Sequence, residues 1–420
     1  MKTSAMKDKA TNALIPKLRF PEFRGATGWE VRPGNRLFDQ VSDKSPEPGL
    51  PVLAITQEHG AIPRDLIDYH VSVSEKSIES YKVIQVGDFI ISLRSFQGGI
   101  EYSQYHGICS PAYVILRRSA AGSNAYFKHY LKTDRFIQIL TKNLEGLRDG
   151  KMISYKQFSE LQIPAPAPAE QHKVADCLDS LDELIAAQRR KVEALKTHKK
   201  GLMQQLFPRE GETQPRLRFP EFQDAGEWKE RKLGTVCDIQ RGKFSHRPRN
   251  DPRFFGGRYP FIQTGDVVKS GGGTVVASQS LNEAGLAVSK LFKPPIVLIT
   301  IAANIGDTGL LQTEGCFTDS VVGLISKKDV VPVFLELIMR GQKENLNKVA
   351  TTGAQKNINN EILREVTVLL PSVPEQQRIA NCLGSLDALI TTATQTLDTL
   401  KTHKQGLMQQ LFPSSEDAAA

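Results

Sequence analysis

From Glu170 to Leu206 the mostly apolar positions step by four and three: Val174, Leu178, Leu181, Ile185, Gln188, Val192, Leu195, Lys199, Leu202, Leu206. The same steps recur near the C-terminus at Ile379, Leu383, Leu386, Ile390, Ala393, Leu397, Leu400, Lys404, Leu407 and Leu411. This period draws one narrow seam along a helix, the pattern of a coiled-coil partner. At a rise of 1.5 Å per residue each helix spans about 55 Å. Pro164, Pro166 and Pro168 precede the first helix, and Pro371 and Pro374 the second; Pro208 and Pro413 stop them. Two independent amphipathic helices, each lying on its own domain, are the plainer alternative. The equal narrowness of both seams favours pairing with each other.

The stretches between are patterned differently. Leu50–Thr56, Lys82–Ser92, Pro111–Arg117, Pro260–Ile262, Ile296–Ile301 and Ser320–Ile325 are short β-branched or alternating apolar runs, which predict strands. Gly87-Asp88 falls inside the second run, which therefore also reads as two short strands around a turn. Gly98-Gly99, Gly256-Gly257 and Gly271–Gly273 mark further turns, and Asn124–Thr141 and Val333–Asn345 predict short helices. The fold class expected is α+β: two mixed α/β domains separated by two long antiparallel helices forming a coiled coil.

Two repeats organise the chain. LKTHKKGLMQQLFP at Leu195–Pro208 returns as LKTHKQGLMQQLFP at Leu400–Pro413, an offset of 400 − 195 = 205. PKLRFPEF at Pro16 returns as PRLRFPEF at Pro215, an offset of 215 − 16 = 199, which Trp29 and Trp228 keep. Between these ends the two inserts look unrelated. The expected order is a disordered N-terminus (1–15), a first variable domain (16–169), a central helix (170–208), a linker with the repeated LRFPEF (209–228), a second variable domain (229–370), a C-terminal helix (371–413) and a disordered tail (414–420). Pseudo-two-fold symmetry with antiparallel helices brings Leu18–Phe23 near Leu411–Pro413. The organisation is then circular, with the termini close together.

The net charge of +8 and pI of about 9.1 favour an anionic partner, nucleic acid first among them. Cys109, Cys177, Cys237, Cys316 and Cys382 are scattered without a C-x-x-C, which suits a reducing cytoplasm and buried inert thiols. No signal peptide and no run of 18 apolar residues is present, so neither export nor a membrane span is expected. Gly150-Lys151 and Gly242-Lys243 are followed by Met and Phe, so no P-loop is encoded. The eight histidines form no metal-ligand set; His198 and His403 match across the repeat and read as structural or partner-contact residues. No catalytic constellation stands out. The chain reads as a reader, not a catalyst.

The positive signals concern DNA. Arg241, Lys243, Arg247, Arg249, Arg253 and Arg258 cluster in eighteen residues, opposed only by Asp251. Such a loop suits phosphate contacts, with an arginine or two left for guanine edges. A solvated charged loop is the equal alternative. Arg94 and Gln97 follow a strand end in the first insert, and Asn304 follows the matching one in the second. Arg148 and Lys151 flank Gly150; Gln355, Lys356 and Asn357 follow Gly353. Arg, Asn and Gln carry the bidentate donors and acceptors that base edges require.

The proline-flanked helices ending in GLMQQLFP, the paired LRFPEF segments, and the phrases YPFIQTGDV, AANIGDTG, TDSVVG and GAQKNIN resemble the specificity subunit of type I restriction-modification systems, over about Pro16 to Pro413. The resemblance implies that the variable domains are target recognition domains, each reading one half of a split DNA target. It implies that the helices fix the spacer and dock two modification (methyltransferase) subunits. S-adenosylmethionine for adenine methylation, and ATP with Mg for the restriction (translocase/nuclease) subunits, then belong to the partners, and this chain binds none of them. The first insert, with LPVLAIT, VGDFIIS and SPAYVIL, resembles a different subclass of recognition domain from the second. A structural coiled-coil adaptor, joining two proteins without reading DNA, is the alternative.

Overall fold

The computed structural model describes residues 14–67, 80–142, 153–352 and 358–413. The chain divides into two units, 1–189 with 395–420, and 190–394. Each long helix therefore gives one end to each unit. The helix ends pack with the variable domains, Val174, Leu178 and Leu411 in the first unit and Leu206, Ile379 and Leu383 in the second.

The centre of the first unit is a four-stranded antiparallel sheet. Its spatial order is Phe38–Val41, Val114–Arg118, Phe89–Ile91, Glu101–Tyr102. Alternation along these strands splits the side chains between two cores. Phe38, Phe89, Ile91 and Leu116 join Tyr126, Phe127, Val174 and Leu178 on one face. Ile90 and Ile115 join Leu53, Ala61 and Ile84 on the other. The run Lys82–Ser92 is indeed two strands, Lys82–Ile84 and Phe89–Ile91, separated at Gly87 with φ +98°.

The second unit holds the sheet Cys237–Arg241, Val321–Ser326, Ile296–Thr300, Thr308–Leu311 in spatial order. Val297, Ile299, Val322 and Leu324 pack on Phe334, Ile379 and Leu383, while Ile296, Leu298 and Val321 face Phe292 and Phe317. In chain order both sheets run first, fourth, second, third across space. Two inserts without visible sequence kinship thus share one sheet plan. Each unit adds a two-stranded ladder near the ends of its insert, Glu30–Pro33 with Gln162–Ala165 and Lys229–Lys232 with Thr367–Leu370.

Each predicted short helix is broken in two. Asn124–Tyr130 is followed by Asp134–Lys142, where the Thr133 hydroxyl accepts Phe136 N–H and caps a new start. Pro332–Gly341 is followed by Lys343–Thr352.

The long helices run Pro168–Leu206 and Val373–Leu411. Pro168 and Pro374 fall inside the first turn rather than before it, where a missing N–H costs nothing. Val174, Leu178, Val192, Leu206, Ile379, Leu383, Ala393, Leu397 and Leu411 are buried, and the other seam positions are half-buried except Lys199, which is buried. The repeated segments seal the helix ends. Leu18 N donates to Gln410 O at 3.0 Å, and Leu217 N donates to Gln205 O at 2.9 Å. Arg19 forks onto Glu170 with two 2.7 Å bonds, and Arg218 does the same to Glu375. Losing one partner of a pair this buried costs about 3–5 kcal/mol. The linker is accordingly docked near its end: Trp228 is buried and its backbone N–H donates to Thr213 O at 3.0 Å. Leu14, expected to be disordered, is buried and its carbonyl accepts Trp29 N–H at 2.7 Å. Ile15 is described and exposed; residues 1–13 and 414–420 lie outside the described residues.

Candidate nucleic-acid interface

The arginine-rich loop of the second unit starts where the strand Cys237–Arg241 ends. A Cβ on Gly242 would sit 2.2 Å from Thr318 O. Only a bare Cα lets the chain close in so that Lys243 N reaches Phe317 O at 3.0 Å. The loop is thereby laid beside Asp319, which gathers its cations. Arg249 Nη2 donates to both carboxylate oxygens at 2.6 and 2.7 Å, Arg247 Nη2 to one at 3.2 Å, and Arg241 Nε to the Asp319 carbonyl at 2.5 Å. Arg241, Lys243, Arg247 and Arg249 are all exposed. Arg253 is tied to Asp251 at 2.7 Å and Arg258 to Glu283 at 3.0 Å. The Arg253 hydrogen bonds hold the Asp251 carboxyl well below the usual carboxylate range. Asp319 and Glu283 come from distant segments, so the sequence set only Asp251 against this cluster. The phrase TDSVVG contains Asp319, but its role follows only from the tertiary approach.

In the first unit Arg94 and Gln97 lie in the connection between the second and third strands of the sheet. Ser95–Gly98 makes a single helical turn there, and Arg94 O accepts Gln97 N–H at 2.9 Å and Gln57 Nε2–H at 3.3 Å. Both side chains are exposed, and beside them Leu93 and Phe96 are 54% and 37% exposed. The sequence analysis did not single out these two apolar residues, which lie beyond the predicted run Lys82–Ser92. Asn304 lies in the corresponding connection of the second unit and is exposed. Topology makes the two turns equivalent, and they carry different side chains. Arg148, Lys151, Gln355, Lys356 and Asn357 lie outside the described residues; in each unit they follow the paired helices in the chain.

A second surface is repeated almost unchanged. A cleft of about 1040 Å³ in the first unit is lined by Lys401, Lys404, Met408, Gln409 and Phe412, among others. One of about 980 Å³ in the second unit is lined by Lys196, Lys199, Met203, Gln204 and Phe207, their counterparts at offset 205. Thr197, His198, Gln205 and their counterparts Thr402, His403, Gln410 are exposed in both copies. Leu184 and Leu389, also 389 − 184 = 205 apart, are 54% and 55% exposed. Packing does not demand identity at exposed positions.

Among the described residues, ligand atoms of His129, Asp179 and Asp182 lie within 4.8 Å of one another. The two carboxylates already hold lysines, Lys128 on Asp179 at 2.7 Å and Lys404 on Asp182 at 2.5 Å, which supply the positive charge a cation would bring. Burial pushes the Cys109 and Cys237 thiols up to about 12, so neither ionises near neutrality. Among the described residues no helix is long and apolar enough to cross a membrane.

A family profile described as the type I restriction modification DNA specificity domain matches twice, at residues 30–197 and 225–402. The putative type I restriction enzyme MjaX specificity subunit of Methanocaldococcus jannaschii is 22% identical over 407 residues, covering 91% of this chain and 92% of the relative. The type I restriction enzyme MjaVIII specificity subunit of the same organism is 24% identical over 373 residues, 81% of each chain. A crystal structure of a type I restriction-modification S subunit from M. genitalium aligns at a TM-score of 0.58 and 15% identity, over 96% of this chain and 100% of that one, a likeness of fold.

Proposed function

The chain belongs to the type I restriction-modification DNA specificity family, and on that premise we propose that each of its units reads one half of a split DNA target. One observation carries this reading: a single sheet plan, built twice, presents Arg94 and Gln97 from a turn in one unit and Asn304 from the equivalent turn in the other. The same scaffold with different polar tips is what two different half-sites require, since base identity is read by side-chain donors and acceptors in the major groove. Arg241, Lys243, Arg247 and Arg249 supply phosphate contacts, with Arg247 and Arg249 held by Asp319. The chain is a specificity component and not a catalyst.

The repeated clefts support a reading of the partners. Identical exposed residues in both copies suit one kind of protein bound twice, and in this family context that protein is a modification subunit. S-adenosylmethionine enters with that subunit, and ATP and Mg with restriction subunits. The long helices, each shared between the units, are assigned the spacer between half-sites.

The test is DNA binding by the chain assembled with its modification subunits, followed by a map of methylated adenines. The expected results are an interrupted, asymmetric motif and an affinity that falls with salt at a slope near −0.9 per neutralised phosphate. Binding indifferent to salt, with no motif, would mean an adaptor.

A further inference from the structure

Both recognition turns end in the same device, although their residues differ, RSFQGG at Arg94–Gly99 and AANIGD at Ala302–Asp307. Gly99 closes the first turn at φ +80°, and Gly306 closes the second at φ +82°. Each is pressed against the junction between the paired helices of its unit. A Cβ on Gly99 would lie 2.2 Å from Leu131 O and 3.3 Å from Lys132 Cα; a Cβ on Gly306 would lie 3.1 Å from Lys343 Cα. The two contacts fall on lysines at the same place in the plan, where one short helix stops and the next begins.

Each lysine then reaches back to an acid just past its glycine. Lys132 Nζ donates to Glu101 Oε1 at 2.5 Å and to Gly98 O at 2.9 Å. Lys343 Nζ donates to Asp307 Oδ1 at 2.6 Å. In the second unit Asn347 Nδ2 also donates to Ile305 O at 3.0 Å, beside Gly306. Glu101 is only 2% exposed, so its charge is compensated by Lys132 and not by water.

Building on the reading above, we propose that Lys132 and Lys343 are positioning residues for base recognition, each fastening the turn that reads one half-site. Neither needs to touch DNA. Base discrimination by bidentate side chains fails when the backbone carrying them shifts by a fraction of a hydrogen-bond length, so the fastening sets selectivity more than affinity.

The test uses the full chain with its modification subunits and the variants Lys132→Met and Lys343→Met. Methylation rates are compared on the wild-type target and on targets with one base changed in either half. Lys132→Met is expected to lower discrimination roughly tenfold in one half only, and Lys343→Met in the other half only. Lys→Arg at either position should restore most of it. The salt slope of binding should stay at its wild-type value in both. Should Lys132→Met leave Glu101 unpaired and the unit unfolded, the double variant with Glu101→Gln removes that charge and carries the same expectation. Unchanged discrimination, an equal loss in both halves, or a slope reduced by about 0.9 as for a lost phosphate contact would overturn the proposal. A wild-type complex without any split motif would instead overturn the reading on which it rests.

Discussion

Lys199 in the first long helix donates to Asp387 in the second at 2.5 Å, and their counterparts exchange roles: Lys404 in the second donates to Asp182 in the first, also at 2.5 Å. The lysines occupy seam positions where the heptad pattern calls for a hydrophobe. A buried lysine is tolerable because an acid on the facing helix meets it. The two substitutions that break this bond should therefore differ. Lys199→Met fills the seam with an apolar chain of similar length and should leave stability within about 1 kcal/mol of wild type. Asp387→Ala strands a lysine whose side chain is 9% exposed. It should cost about 1–3 kcal/mol, trimmed by the exposure of that site to water. Urea midpoints of the two variants decide it, and equal losses would contradict the account.

The first unit should weaken in mild acid. His129 is buried, and Nε2–H donates to Asp179 Oδ1 at 2.8 Å. Burial holds the imidazole below its ordinary pKa, with Lys404 and Lys128 adding to the effect against Asp179. A depressed folded pKa means the unfolded chain binds the proton first. Its stabilisation is complete above about pH 6.5 and is lost as pH falls below that value. Asp179, held low chiefly by its His129 hydrogen bond, adds a second loss at still lower pH, below about 3.9. The second unit has Gly384 at the position equivalent to Asp179 (384 − 179 = 205). Hydrogen exchange at pH 7.5 and 5.5 should show the change in the first unit, and His129→Asn should flatten it.

Much of the frame was legible in the sequence because it is written twice. The seams, the proline stops and the LRFPEF segments give the long helices and their seals without any structure. Strands such as Ile296–Thr300 declare themselves by β-branched runs. Lys229–Lys232, reading KERK, does not: its strand form comes from pairing with Thr367–Leu370 across the insert, a long-range contact that overrides propensity. The breaks at Leu131–Thr133 and Gln342 were also hidden, since the apolar period runs through them. In the candidate site the basic loop was visible, but Asp319 was not, because its meeting with Arg249 depends on Gly242 closing two loops that are far apart in sequence.

Asp319→Asn separates orientation from charge. The variant keeps the shape but loses the carboxylate that fixes Arg247 and Arg249. It also raises the net charge by one. Non-specific DNA affinity should rise, while discrimination in the half-site read by the second unit should fall roughly tenfold. Competition binding with single-base variants checks both; a fall in non-specific affinity would contradict the assignment.

The most direct measurement is a methylated-adenine map made with a chimeric chain in which Lys229–Leu370 is replaced by the corresponding segment of a relative with a different target. If each unit reads its own half-site, one half of the motif changes while the other half and the spacer stay as they were. New letters in both halves, or an uninterrupted motif, would contradict it.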